Sequence, residues 1–343
     1  MRFDLFWVLM GRTAYVFAPL YLIPFAYGFA YGDSLAGSFL ALGVLAAILG
    51  MVFGNMGRSH MRQLSVQEGT LFLLAVWFLL AVLGMLPFHL AGLHLSPADT
   101  FFECISALTT TGMTAFGDAL PPSLLLWRAL MSWFGGLLFI VILVTVLPVV
   151  SGCFGVDFNV RQARLFSPLW NRMTRPMREM TLLYIAITAL SVGIYLMAGD
   201  DIFTALILAL FTIASGAGPM TGGVPPSPDL MLGAGLVALL SALPLLTLWQ
   251  LIHRGSGTIL TRHMELRAFF LLFLAAGVLL AIPSLLHGAR PIAEALGYSF
   301  FYAISFLSTN GLMLQEAAPF HTSAALLLIL LAVIGGCMGS AAG

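Results

Sequence analysis

Three short polar stretches interrupt a chain that is otherwise mostly apolar: TTTG at residues 109–112, TIASGAG at 212–218 and STNG at 308–311. Each follows an apolar run, respectively FFECISAL, DIFTALILALF and AEALGYSFFYAISFL. A glycine-containing turn in such surroundings can aim several backbone carbonyls at one axis, and a ring of carbonyls can replace the hydration shell of a cation. Gly112, Gly216 and Gly311 offer the conformational freedom such turns need. Threonine hydroxyls can add ligands or brace the turn. Each preceding run reads as a short helix, whose C-terminal end carries partial negative charge and also favours a cation.

The elements that position these turns follow from composition. Sixty per cent hydrophobic residues, 8% charged residues and a mean hydropathy of +1.03 exclude a soluble globule. The expected fold class is an all-α integral membrane protein. Apolar runs long enough to cross a bilayer recur near 14–30, 35–56, 69–88, 124–150, 181–198, 230–252, 267–287 and 320–334. The alternating ten-residue pattern of a membrane β-barrel is absent. The start, MRFDLFWVLMGR, lacks a small-residue cleavage site and reads as a retained helix. Cys104, Cys153 and Cys337 show no paired spacing, so they read as packing residues, without a disulfide framework or a zinc site.

Charge sets the expected topology. The chain has no lysine, and its arginines cluster at Arg58 and Arg62, at Arg161, Arg164, Arg172, Arg175 and Arg178, and at Arg254, Arg262 and Arg267. With Arg2 and Arg12, these place the N-terminus and three connections on the cytoplasmic side. The alternate connections are acidic, with Asp33; Asp99, Glu103 and Asp118; Asp200, Asp201 and Asp229; and Glu294 and Glu316 beside Arg290. An acidic outer face of this kind raises the local cation concentration.

With that topology a pattern recurs: a spanning helix, a short helix that dips in from outside, a polar turn, and a second spanning helix. The short helices are too short to cross, so they form re-entrant loops, which are tolerated only where protein or a water-filled cavity surrounds them. The expected organisation is two N-terminal helices in 1–60, then pseudo-repeated helix, pore-loop, helix units at 61–155, 156–255 and 256–343 around an ion pore.

These residues resemble the Trk/Ktr/HKT superfamily of potassium transporters, and within it the bacterial Trk membrane (pore-forming) subunit. TTTGMTAFGD with the following LPPSLLLWRALMSWFGGLLFIVILVTVLPVV, including its arginine and Trp-x-Gly-Gly, is similar to the first filter and the helix after it. FTIASGAG and STNGL look like the second and third filters, and IGGCMGS like a Gly-rich break in a later helix. The resemblance implies K+ coordination by carbonyls of Thr110, Thr111 and Gly112, of Ala214, Ser215 and Gly216, and of Thr309, Asn310 and Gly311. It implies an intramembrane gate loop at Gly335, Gly336, Cys337, Gly339 and Ser340. It also implies a homodimer and a cytosolic nucleotide-binding regulatory subunit. The family has four repeats and a threonine where Ala341 stands, whereas this sequence stops at Gly343. A truncated form, or another chain supplying the fourth wall, is therefore expected.

The remaining polar residues read more plainly. His89, His94 and His287 are expected at the membrane interface. Arg128, at the outer start of a span, is expected to pair with Glu103 or Asp118, or to cap a pore loop. The arginine-rich connection 161–178 suits anionic lipid or a cytosolic partner. No phosphate-binding loop, dinucleotide fingerprint or catalytic constellation is present, so no cofactor, enzymatic activity or nucleic-acid partner is expected. The expected function is potassium uptake across a bacterial inner membrane, with Na+ or another monovalent cation, or a partner-dependent fragment, as the alternatives. Each filter carries one glycine, which predicts modest K+ over Na+ discrimination.

Overall fold

The computed structural model describes residues 4–57, 66–93, 95–116, 120–145, 170–216, 227–254, 264–286, 291–314, 322–337 and 339–340. Among these residues the secondary structure is helical, and 6 helices have the length and apolarity to cross a membrane. The chain forms two compact units: Met1–Thr109 with Met113–Glu179, and Thr110–Gly112 with Met180–Gly343.

In the first unit, α1 (Asp4–Phe17) continues through a 3-10 turn at Ala18–Tyr21 into α2 (Leu22–Tyr31). Helix α3 (Ala36–Met56) returns and packs along α1. Gly11 and Gly50 let the two backbones meet, since a Cβ on Gly50 would lie 2.8 Å from the Tyr15 nitrogen. Helix α4 (Val66–Leu90) follows, then the short α5 (Pro97–Leu108) and the long α6 (Pro122–Thr145).

An aromatic pair seats α6. Trp127 stacks on Tyr21 with ring centroids 4.2 Å apart, and both residues are fully buried. Their polar tips find backbone acceptors on α4. The Tyr21 hydroxyl donates to the Leu83 carbonyl at 2.7 Å, and Trp127 Nε1 donates to the Gly84 carbonyl at 2.9 Å. Pro87 inside α4 explains the first acceptor. It has no N–H to offer the carbonyl one turn earlier, which is that of Leu83.

The second unit contains the part of α7 (Trp170–Met197) from Met180 onward and the short α8 (Ile202–Ile213). It continues with α9 (Pro228–Ala242), α10 (Leu245–Arg254), α11 (Met264–Leu286), the short α12 (Ile292–Leu307) and α13 (Thr322–Ile334). Two of the expected eight spans need correction. The run 230–252 is two helices, broken where Leu243 is extended at φ −80° and ψ 143° before Pro244. The residue before a proline is driven out of the helical region, so an apolar run that looks continuous stops there. The run 320–334 is a helix of 13 residues, Thr322–Ile334, short of the ~20 a perpendicular crossing needs.

The break in the α9–α10 pair has a partner. A helix that stops leaves carbonyls without donors, and one that starts leaves N–H groups without acceptors. The Cys337 N–H donates to the Ala242 carbonyl at 3.1 Å, and the Leu245 N–H donates to the Gly339 carbonyl at 3.3 Å. The segment after α13 is thereby joined backbone to backbone with the interrupted helix. Gly335 at φ 73° and Gly339 at φ 78° give it the shape to do so.

Glycine of the Trp-x-Gly-Gly stretch serves contact instead of flexibility. A Cβ on Gly135 would sit 1.8 Å from the carbonyl oxygen of Leu108, the last residue of α5. Gly135→Ala is therefore expected to push α6 off α5 and cost about 2 kcal/mol or more. A thermal unfolding scan in detergent checks this; an unshifted midpoint would show that the contact tolerates a methyl group.

Candidate ion-binding turns

The three short helices begin and end in ways that their sequences explain. Helices α5 and α8 have 12 residues each and α12 has 16, all below the ~20 residues of a spanning helix. Ser96 caps α5 by accepting from the Asp99 N–H at 3.1 Å, and the Asp99 carboxylate accepts from the Ser96 N–H in return. Asp201 caps α8, accepting from the N–H groups of Phe203 and Thr204. A side-chain hydrogen bond from Thr204, followed by these backbone bonds, holds the Asp201 carboxyl below its usual range. The charged cap is present at neutral pH and is lost as the pH falls through that lowered value. Its neighbour Asp200 is shifted upward by partial burial and then by the charge of Asp201.

At their C-terminal ends the helices close in one recurring turn. The cap residues Thr109, Ala214 and Ser308 are each followed by a residue in the left-handed region: Thr110 at φ 55°, Ser215 at φ 53° and Thr309 at φ 55°. The next N–H folds back over the helix end. That of Gly216 donates to the Phe211 carbonyl and that of Asn310 to the Ser305 carbonyl, both at 3.0 Å. This is the Schellman way of satisfying orphan carbonyls, with a hydroxyl residue where glycine is usual. A β-branched residue at positive φ is a backbone outlier costing about 1–2 kcal/mol, and such strain collects at ligand-binding sites.

The turns correct the register expected in the second repeat. Left-handed Ser215 stands with Thr110 and Thr309, so Gly216 is equivalent to Thr111 and Asn310. The position of Gly112 (φ 77°) and Gly311 (φ 61°) falls on Ala217, which lies outside the described residues. Ala214 is a helix cap, equivalent to Thr109 and Ser308. Gly216 follows its left-handed residue by one position, whereas Gly112 and Gly311 follow theirs by two, so the position of the glycine was a poor guide.

Buried hydrogen bonds hold the second and third turns within their compact unit. Asn310 is buried and donates through Nδ2 to Ser241 Oγ on α9 at 3.0 Å and to Ser308 Oγ at 2.9 Å. Both hydroxyls give their own protons to carbonyls, of Ala238 and Ser305, so both are acceptors toward the amide. Thr212, at the end of α8, is linked to the buried Tyr195 hydroxyl on α7 at 2.9 Å.

Arg128 and Glu103 form a buried ion pair, with side chains 1% and 0% exposed. The expectation that Arg128 pairs with an outer carboxylate and secures a pore loop is met by Glu103; Asp118 lies outside the described residues. The acidic outer face is accordingly reduced, because Glu103 is neutralised inside the protein. Glu103 Oε2 accepts from the Ala115 N–H at 2.8 Å and the Thr114 hydroxyl at 3.1 Å, and Arg128 Nη2 donates to the Met113 carbonyl at 3.1 Å. Removing one charge from such a pair costs about 3–5 kcal/mol.

Of the other singled-out residues, Cys104 and Cys337 are free thiols and buried, as packing residues should be. Ser340 is buried and Gly336 half-buried. His89 is exposed at the end of α4. His94, His287, Cys153 and most of the arginine-rich connection lie outside the described residues, and Arg178 is exposed.

Residues 38–218 match the family model of the TrkH cation transport proteins. The chain is 27% identical over 355 residues to the Trk system potassium uptake protein TrkH of Escherichia coli K12, covering 100% of this chain and 73% of that protein. To the potassium uptake protein TrkG of the same organism it is 30% identical over 293 residues, 82% of this chain and 60% of the relative. The crystal structure of the potassium transporter TrkH from Vibrio parahaemolyticus superposes with a TM-score of 0.88 at 25% identity, over 100% of this chain and 72% of that one. With more than half of its residues inside the family model, and with its helices and turns arranged as described, this chain is a multi-pass membrane protein belonging to the TrkH family of cation transport proteins.

Proposed function

We propose that this chain carries out potassium uptake across a bacterial inner membrane, with the backbone carbonyls of its three polar turns as K+ ligands. One observation carries the reading. Thr110–Gly112 belongs to the same compact unit as the other two turns, although the residues on either side of it belong to the first unit. A piece grouped with two similar turns, apart from its own chain neighbours, is what a shared ion path requires. Three helix C-termini each bring partial negative charge, and the strained Thr110, Ser215 and Thr309 turn carbonyls away from helical bonding. The ligands are Thr110, Thr111 and Gly112, Ser215 and Gly216, and Thr309, Asn310 and Gly311, with Ala214 kept as the helix cap. The relatives named for potassium uptake support K+ as the cargo.

The segment Gly335, Gly336, Cys337, Gly339 and Ser340 serves as the gate in this reading. Its bonds to Ala242 and Leu245 hold it in place and can be broken without unfolding either helix. Repeats at 61–155, 156–255 and 256–343, following two helices in 1–60, supply the walls. The N-terminus is cytoplasmic, the assembly is a homodimer, and the arginine-rich connection meets a cytosolic nucleotide-binding subunit and anionic lipid.

Proteoliposomes test the reading directly. Rubidium influx is expected to exceed sodium influx through the wild-type chain, and Gly112→Ser is expected to reduce that preference. Equal rates for the two ions in the wild type would overturn the potassium assignment. Pro244→Ala gives a separate test of the gate. A continuous helix would use the Ala242 carbonyl and Leu245 N–H internally, releasing residues 335–340, so faster resting flux is expected. Resting flux equal to wild type would remove the break from gating.

A further inference from the structure

The turns have a second support that lies past the proposed ligands. Helices α5 and α12 bear the same two contacts at the same spacing. Ser106 donates to the Met113 carbonyl at 2.6 Å, and Ser305 donates to the Leu312 carbonyl at 2.7 Å, seven residues on in each case. One helical turn earlier, Glu103 accepts from the Ala115 N–H at 2.8 Å and Tyr302 accepts from the Leu314 N–H at 3.3 Å. In the register set by the left-handed residues, Glu103 and Tyr302 are equivalent positions, as are Ala115 and Leu314. Each helix thus holds the chain leaving its turn by one carbonyl and one N–H. The same register in α8 brings Leu208 and Phe211, which have no oxygen or nitrogen in their side chains to do this.

From this we propose that Glu103 and Tyr302 are positioning residues for ion selectivity. Each fixes the chain beyond a turn so that the carbonyls of the turn keep their spacing around the ion. The inference rests on the reading of the turns as a K+ filter. Two unlike side chains, a carboxylate and a phenol, meet the same backbone N–H, which packing alone does not demand. Arg128 belongs to the first of these braces. It compensates the buried Glu103 charge and adds its own bond to the Met113 carbonyl. A carbonyl that can drift toward a smaller ion stops distinguishing K+ from Na+, so slack past the turn is read as lost discrimination.

Tyr302→Phe removes only the hydroxyl and keeps the ring, and it is the cleaner test. For the first brace, Glu103→Gln with Arg128→Met removes both charges together, which leaves no uncompensated ion in the interior. Rubidium and sodium fluxes are measured in proteoliposomes, with thermal unfolding in detergent as the check on folding. Folded Tyr302→Phe is expected to lose rubidium-over-sodium preference by about fivefold, comparable to one lost hydrogen bond, and the double variant by about tenfold. A selective wild type beside an equally selective, folded Tyr302→Phe or double variant would overturn the inference alone. A wild type that passes both ions equally would overturn the potassium reading and this inference with it.

Discussion

Inside a bilayer, a peptide N–H or carbonyl that leaves its helix has no water to turn to. Each such group must find a partner in the protein or in its cargo. The architecture can be understood as a set of answers to that demand. Pro87 strands the Leu83 carbonyl, and Tyr21 answers it. Pro244 stops a helix, and the segment after α13 supplies a donor and an acceptor at the wound. Helices α8 and α12 end in turns that fold the next N–H back over their last carbonyls. At Pro87 and Pro244 the residue that breaks a helix is matched by a distant one that repairs it, whereas the turns repair themselves locally.

The turns are the part of this architecture that the proposed function draws on. A Schellman closure satisfies the carbonyls nearest the helix end, and in the proposed reading those of the following residues serve the ion. Supporting them in that posture needs the left-handed hydroxyl residues and the contacts that brace the departing chain. Strain at Thr110, Ser215 and Thr309 is local, whereas its containment draws on buried side chains from two helices, as with Glu103 and Arg128.

Much of this was legible in the sequence, for identifiable reasons. TTTG and STNG stand out because hydroxyl and amide groups are costly in an apolar chain, and Arg128 because a lone charge in a span requires a partner. The second turn was misaligned by one residue because its glycine, Gly216, stands at the position of Thr111 and Asn310, one before that of Gly112 and Gly311. The break at Pro244 lay in a run whose hydropathy is unbroken, so length outweighed the one residue that mattered. Tyr302 was invisible as a brace, since an aromatic residue in an apolar helix looks like packing until the N–H it faces is known. Sequence patterns report what a residue costs its surroundings more readily than what it does for a remote one.

The suture between the interrupted helix and the segment after α13 also bears on how the protein can change over generations. Residues 242–245 and 337–339 are far apart along the chain, yet each supplies what the other lacks, backbone to backbone. The junction is made by main-chain groups, so what it asks of either part is first the shape of the backbone. A change that mends the helix, or one that stiffens the glycine segment, leaves a stranded polar group on the opposite side. A change in one stretch thus sets a requirement on the other, and loss of the proline favours a reshaped glycine segment.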